Sequence, residues 1–472
     1  MTTNTVAPPP FSSRQKLILL ILLGASFMFA IDLTILNVAL PVVGEGVGLG
    51  LTGLPWIISA YALPAAGFSL VFGRLADLFG RRKLFLGGIA LLTASSLLGG
   101  FASNAEMLLT ARTLQGFAAA LAIPAALSLL TTTFAEGAMR EKVLGLNGAL
   151  LAVGFTVGAV AGGTLVDWLS WRAAFFINVP VGLIILLVTP LLIGESTTPD
   201  RVRLDLPGAI TVTGGLLAVV YAVLEKSVVF GVVGAVLLIA FWFVELRSPA
   251  PLAPVRILKR PTVKWGNYAG LISFMAGTGL IFMVTLYLQQ VLGYSPLAAG
   301  LIFGLPGLAI VPGGVLAGKF IGRFGPRKVL AAGLFVQALA PLPLVYLGTS
   351  RSALWILMPA LFITFFAHIT AIVAYTVTGT SGLPNEEQGL ATGLTSMTQQ
   401  VAVTVGIPIM GSIAATQAVE LTGIHLAIGV NVAATLASVL LVWIGLRPRG
   451  AQQAPPAPAA QPAEEKLAVS SD

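Results

Sequence analysis

Apolar residues run along this chain in long stretches, separated by short polar breaks. A bilayer core about 30 Å thick is crossed by roughly 20 apolar residues in a helix. Fourteen stretches meet that length: approximately 17–40, 53–72, 84–103, 107–134, 142–166, 172–193, 207–225, 228–246, 264–290, 297–321, 328–347, 353–378, 388–416 and 421–446. The shortest break is the Glu225-Lys226-Ser227 hairpin. The first apolar run follows a polar segment, residues 1–16, and is longer than the 7–15 residues typical of a signal-peptide core. It is expected to be a retained first span. Residues 447–472 are rich in Ala and Pro and read as a disordered tail. The pattern therefore predicts an all-α polytopic membrane protein with 14 transmembrane helices.

Charge sets the orientation. With the N-terminus in the cytoplasm, the basic residues at 14–16, 74–83, 140–142, 201–203, 247–264, 319–328 and 447–466 all fall inside. Of the 26 lysines and arginines only Arg172, Lys226 and Arg351 fall outside, and Arg112 falls within the fourth stretch. This is the positive-inside pattern, and removing one span would place the later clusters on the wrong side. The net charge of +8 is thus topology, not a nucleic-acid footprint. Charged residues make up 9% of the chain, against about 25% in soluble domains. There is no cysteine, so neither a disulfide framework nor a thiolate metal site, and His368 and His425 are too few for a histidine cluster.

The chain also repeats itself. The second break reads GRLADLFGRRK, residues 73–83, and the tenth reads GKFIGRFGPRK, residues 318–328. The same offset places the first stretch on the ninth. Residues 17–193 and 264–446 are therefore expected to be two related six-helix halves, with a two-helix insert and its flanking loops at 194–263. Related halves around a mid-membrane site are an arrangement of secondary transporters.

At this point the chain resembles the major facilitator superfamily, in its fourteen-span branch of drug:proton antiporters. The resemblance rests on IDLTILNVALP (31–41), GRLADLFGRRK (73–83), RTLQGFAAA (112–120), GFTVGAVAGG (154–163), WRAAFFINVPVG (171–182) and LDLPGAI (204–210), in order and on matching spans. It implies a major facilitator fold and a multidrug exporter. The implied working partners are the lipid bilayer, a small-molecule substrate and a proton. Nucleic acid and a second chain are not expected partners. No cofactor is implied beyond the proton motive force. The implied location is the cytoplasmic (inner) membrane of a bacterium, with both termini in the cytoplasm.

The residues carry chemistry of their own. Asp32 lies deep in the first stretch, where a charge costs roughly 2.5–3.5 kcal/mol on insertion scales. A carboxyl that is neutral when dry and ionised when wetted can carry a proton, or attract a cationic compound. The alternative is a structural carboxylate pairing with a neighbouring helix. Asn37 could orient a ligand or bond another helix. Arg112 does not deprotonate, so it must meet water or a partner, with Gln115 one turn along on the same side. The resemblance gives it a coupling role. Asp77 precedes Arg81 by one helical turn, and with Gly73 the family pattern makes this loop a conformational latch. Leu78 stands where a basic residue is usual, and the second copy has Gly322 in place of Asp77.

Gly154, Gly158 and Gly162 share one helix face beside Gly163, and small residues at that spacing admit close helix contact. In the family this helix packs across the halves and is associated with export, although Ala159 replaces the usual proline. His368 is a candidate second protonatable group, and Asn178, Gln289 and Gln399 are candidate cavity residues. A proton-coupled exporter of amphipathic or apolar compounds is therefore the expected function. A narrow exporter of one antibiotic or metabolite would have the same motifs. The fifth-stretch glycines argue against a nutrient importer. No metal spacing, phosphate loop or nucleophile constellation supports an enzyme.

Overall fold

The computed structural model describes residues 11–50, 53–134, 138–195, 205–249, 251, 257, 259–381, 383 and 385–447. Some side chains within its helices, Arg74, Asp77 and Gln400 among them, also lie outside the described set. Everything regular among the described residues is helical. The helices are α1 (Ser13–Gly46), α2 (Leu54–Phe79), α3 (Arg81–Gly100), α4 (Ala105–Thr133), α5 (Ala138–Trp168), α6 (Ala173–Phe176), α7 (Asn178–Leu192), α8 (Leu206–Leu224) and α9 (Val228–Arg247). They continue with α10 (Pro261–Leu286), α11 (Pro296–Gly307), α12 (Ile310–Phe324), α13 (Pro326–Leu339), α14 (Leu354–Thr380), α15 (Asn385–Ala414) and α16 (Glu420–Gly445).

Local chemistry fixes the ends. The Ser12 hydroxyl accepts from the Gln15 backbone while the Gln15 side chain reaches back to Ser12, a reciprocal cap on α1. Asn104 caps α4 and Asp205 caps α8 through the Gly208 amide. Gly80 and Gly325 hold φ of 109° and 83° at the sharp breaks before α3 and α13. That is a backbone region open chiefly to glycine. The apolar stretch expected at 297–321 is interrupted, α11 ending at Gly307 one residue after Pro306 and α12 beginning at Ile310.

Twelve helical segments among the described residues are long and apolar enough to cross a membrane. The two remaining expected stretches are held by α2, in which the apolar part is Leu54–Ser69, and by α5.

The repeat is visible in the packing. Arg82 donates to the Ile193 carbonyl just beyond α7 at 3.0 Å. Its counterpart Arg327 donates to the Trp443 carbonyl near the end of α16 at 2.7 Å and stacks over the Trp443 ring. These arginines, with Arg14 on the Leu192 carbonyl, lie at one end of the bundle, here termed the basic end.

The hydrophobic cores differ between the two ends. Toward the basic end one core draws on α1–α5 and α7, including Phe29, Phe85 and Leu130. A separate core draws on α10 and α12–α16, including Phe274, Leu334 and Tyr375. At the other end a single core joins both groups, with Ile35, Leu40 and Phe175 beside Phe282, Phe303 and Leu361. A polar contact seals the same end, Gln289 donating to the Val38 carbonyl at 2.6 Å, while nearer the middle Thr404 of α15 donates to the Ala62 carbonyl of α2 at 3.1 Å. The α8–α9 pair lies against α2 and α15 through Thr213 on the Gly67 carbonyl and Ser412 on the Val223 carbonyl.

Glycines make the closest part of this seal. A Cβ on Gly300 would lie 2.3 Å from the Ala159 carbonyl oxygen, and one on Gly163 would lie 2.5 Å from the Pro296 carbonyl. Gly304 and Gly307 continue the contact against Val160 and Thr156. Gly154, Gly158 and Gly162 do share one face, but that face packs on Ala30, Thr34 and Ile35 of α1. The helix does pack across the halves, but among these four glycines the contact with the other half is made by Gly163. The reciprocal face is on α11.

Substituting Gly300→Val is expected to force α5 and α11 apart, because a backbone carbonyl cannot swing away as a side chain can. Overpacking of this kind costs about 1–3 kcal/mol, enough to shift a two-state arrangement several-fold or more. The chain lacks cysteine, so a single one at Val38, now 1% exposed, reports the seal. An impermeant maleimide should label it slowly in the native background and several-fold faster with Gly300→Val. Unchanged labelling would remove this contact from the seal.

Candidate functional site

Asp32 sits on α1 between Phe29 of the basic-end core and Ile35 of the shared core. It is completely buried, as are Arg112 and Gln115 on α4. Arg112 Nη1 lies 3.0 Å from Asp32 Oδ2. The same nitrogen donates to Gln115 Oε1 at 2.7 Å, and Arg112 Nε donates to the Ile57 carbonyl at 3.1 Å. The guanidinium carbon stands 4.5 Å from the centre of the Tyr61 ring. Helical spacing places Arg112 and Gln115 on one face of α4, as their three-residue separation requires.

Two further helices complete the shell. Asn178, at the start of α7, donates from its side-chain amide to Asp32 Oδ1 and to Ser96 Oγ. Gln115 Nε2 donates to Ser96 Oγ at 2.9 Å and more distantly, at 3.4 Å, to Asp32 Oδ1. The Asp32 carboxylate thus receives three donors and faces no acceptor among its hydrogen-bond partners. An ionised carboxylate is satisfied by such a set, whereas a protonated one would need somewhere to donate. The charge is balanced by Arg112, whose Nη2 is sealed without a partner.

In this arrangement Asp32 does not offer a free carboxylate to a cationic compound. It is enclosed by α1, α3, α4 and α7 and neutralised by Arg112. Asn178 likewise belongs to this cluster rather than to a cavity wall. Gln289 is engaged in the seal to α1, and Gln399 is exposed on α15. Asn37 is half-buried with its side-chain oxygen sealed and unbonded. His368 on α14 is half-buried against α10, with Nδ1 3.1 Å from Ser273 Oγ.

At the basic end, the Asp77 side chain lies outside the described residues. Gly73 and Arg81 are half-buried. The contact seen beside them uses residues the sequence reading missed. Glu195 accepts from the Arg82 backbone at 3.1 Å and lies 3.7 Å from its guanidinium, over the space that Gly80 leaves empty. Glu195 is 113 residues from Arg82 in the sequence, and nothing in the spacing points to the pair. Ser96 and Tyr61 were also missed. Both are polar positions within apolar stretches, and nothing in their spacing points to Asp32.

The chain is similar in sequence and fold to known proteins. The model for "Major Facilitator Superfamily" matches residues 22–407. The chain is 35% identical over 90% of its length to the puromycin resistance protein pur8 of Streptomyces alboniger, covering 90% of that protein. It is 31% identical over 85% of its length to the multidrug resistance protein Stp of Mycobacterium tuberculosis (strain CDC 1551 / Oshkosh), covering 76% of it. Among solved structures, the human organic anion transporter MFSD10 (TETRAN) superposes with a TM-score of 0.64 at 15% identity, over 92% of this chain and 100% of that one.

Breaking the ion pair from one side is expected to be costly. Arg112→Gln leaves an ionised carboxylate in a dry shell, a loss of about 3–5 kcal/mol. Pairing it with Asp32→Asn removes both charges and should recover much of that loss. Thermal unfolding of the purified protein in detergent measures both variants. A double variant as unstable as the sum of the single ones would show the two residues to be uncoupled.

Proposed function

This chain belongs to the major facilitator superfamily, and we propose that it exports amphipathic or apolar antibiotic-like compounds from the cytoplasm in exchange for protons. The observation that carries this reading is the Asp32–Arg112 pair, dry and fully buried at the level where the two helix groups begin to part. The names of the relatives, puromycin resistance and multidrug resistance, support export of toxic compounds. Breadth is the second reading: a name given for one antibiotic favours a narrow exporter, a multidrug name a broad one.

The proposed cycle uses the chain's own parts. The basic end faces the cytoplasm, both termini lie there, and α2 and α5 complete fourteen spans in a bacterial inner membrane. The helices of residues 17–193 and 264–446 are the halves that rock, with the 194–263 insert beside their seam. In the proposed cycle, substrate is reached from the cytoplasm while the outer seal is shut. Asp32 is ionised and held by Arg112, the state after its proton has left. Opening the seal wets the pair, and a proton entering from outside takes the place of Arg112 on the carboxylate. Neutral Asp32 then releases the guanidinium to Gln115 and the Ile57 carbonyl, which it already contacts. The proton brings about 2.3 kcal/mol per 100 mV of membrane potential. Gly73, Asp77 and Arg81 act as the cytoplasmic latch, aided by Arg82 and Glu195. No cofactor and no second chain is required.

Inverted membrane vesicles holding a proton gradient test this directly. Adding puromycin or a lipophilic dye should collapse the gradient, read with a pH-sensitive fluorophore, in the native protein. Asp32→Asn should abolish the compound-driven release at unchanged protein level. Equal release in both would leave exchange standing but make Asp32 a structural residue.

A further inference from the structure

The offset that carries Gly73 onto Gly318 carries Asp32 onto Gly277. The second copy of the repeat therefore has no side chain where the first has its carboxylate. His368 takes the vacated space: a Cβ on Gly277 would lie 2.9–3.3 Å from three atoms of its imidazole. Phe274 meets the ring edge-on, with centroids 5.5 Å apart. On α14 the residue lies between Phe365 of the shared core and Ala371 of the separate one, so it stands where the helix groups part.

Hydrogen-bond bookkeeping fixes which ring nitrogen carries hydrogen. The Gln337 amide donates through Nε2 to the Ser273 backbone carbonyl at 2.9 Å, an atom that can only accept. This orients the amide and turns Oε1 toward the Ser273 hydroxyl, 2.7 Å away. The single hydroxyl hydrogen is therefore given to Gln337. The contact at 3.1 Å between Ser273 Oγ and His368 Nδ1 then needs its hydrogen from the ring. With Nδ1 protonated, Nε2 of the neutral ring holds a lone pair. Among the described residues that nitrogen has no hydrogen-bond partner, and it is not among the sealed polar atoms.

The surroundings bound what it can accept. Acids in α10–α16 occur only in the first turns of α15 and α16, at Glu386, Glu387 and Glu420. The recorded contacts of the imidazole among the described residues are Ser273, Phe274, Gly277 and, through Ser273, Gln337, and none of these is charged. We propose that His368 Nε2 accepts a hydrogen bond from an uncharged hydroxyl, phenol or amide N–H of the compound being moved. This selects donors over their alkylated analogues. The proposal rests on the exporter reading above and names the chemistry of its substrate.

Two measurements test it. Nitrogen NMR of histidine-labelled protein should find the two histidines in opposite tautomers. His425 Nε2 lies 2.9 Å from the Leu347 carbonyl and so must carry hydrogen, whereas His368 Nε2 must not. Binding of umbelliferone and of its methyl ether, at a pH where the phenol is neutral, then reads the donor. The native protein should prefer the phenol by about five- to tenfold, the worth of one net hydrogen bond. His368→Gln, which can keep an acceptor near Nε2, should retain the preference, and His368→Asn, which mimics only the Nδ1 side, should erase it. Equal affinities in the native protein, no binding of either coumarin, or a preference that survives His368→Asn would each overturn the proposal. The vesicle assay with puromycin judges the exporter reading independently of all three.

Discussion

A fully buried ion pair is the constraint from which the rest of this molecule follows. Removing two charges from water is expensive, and their attraction offsets that only with good geometry and further hydrogen bonds. Asp32 and Arg112 meet both conditions through Gln115, Asn178 and the Ile57 carbonyl. These partners come from four helices besides α1, if the Tyr61 ring of α2 and Ser96 of α3 are counted. The pair therefore ties α1–α4 and α7 into one unit. It also makes that unit sensitive to water, because a single wetting event changes the balance of the whole cluster.

The second copy of the repeat solves the same packing problem without charge. Its corresponding position on α10 is Gly277, and the space is filled from α14 by an imidazole held through Ser273 and Gln337. A hydrogen-bonded, uncharged cluster avoids the desolvation cost that the first copy bears. The repeat thus keeps its architecture while dividing its chemistry. Arg82 and Arg327 make equivalent contacts to helix ends at the basic face, yet the interior sites differ in charge. In the proposed cycle the first copy handles the proton and the second contacts the compound.

The arrangement of cores gives these sites a shared level. One apolar core is shared by both groups at one end, while toward the other the groups have separate cores and meet through a smaller one that joins α2, α8, α9 and α15; Asp32 and His368 lie at the transition. Glycine makes the closed end possible. Gly163 and Gly300 bring α5 and α11 so near that neither could carry a β-carbon without displacing backbone. Contacts of this kind depend on shape rather than on a hydrophobic drive, which suits a seal that must break and re-form within lipid.

Much of this was legible in the sequence because the membrane enforces it. Apolar stretches of bilayer length, basic residues at alternate breaks and a repeated glycine-basic motif dictate helices, their directions and an internal repeat. An aspartate and an arginine within apolar stretches mark themselves as sites, since each is costly unless matched. The Gln115 contact followed from helical spacing alone. Among the described residues twelve helical segments are long and apolar enough to cross a membrane, and α2 and α5 hold the other two expected stretches. Partnership across helices was not legible at all. That Asp32 reaches Arg112, that Gly154, Gly158 and Gly162 face α1 while α11 supplies the glycines for the seal, and that Glu195 rests on Gly80 depend on how distant segments pack. The tautomer of His368 is of the same kind. Spacing along a chain determines which residues share a face, but only tertiary packing decides what that face meets.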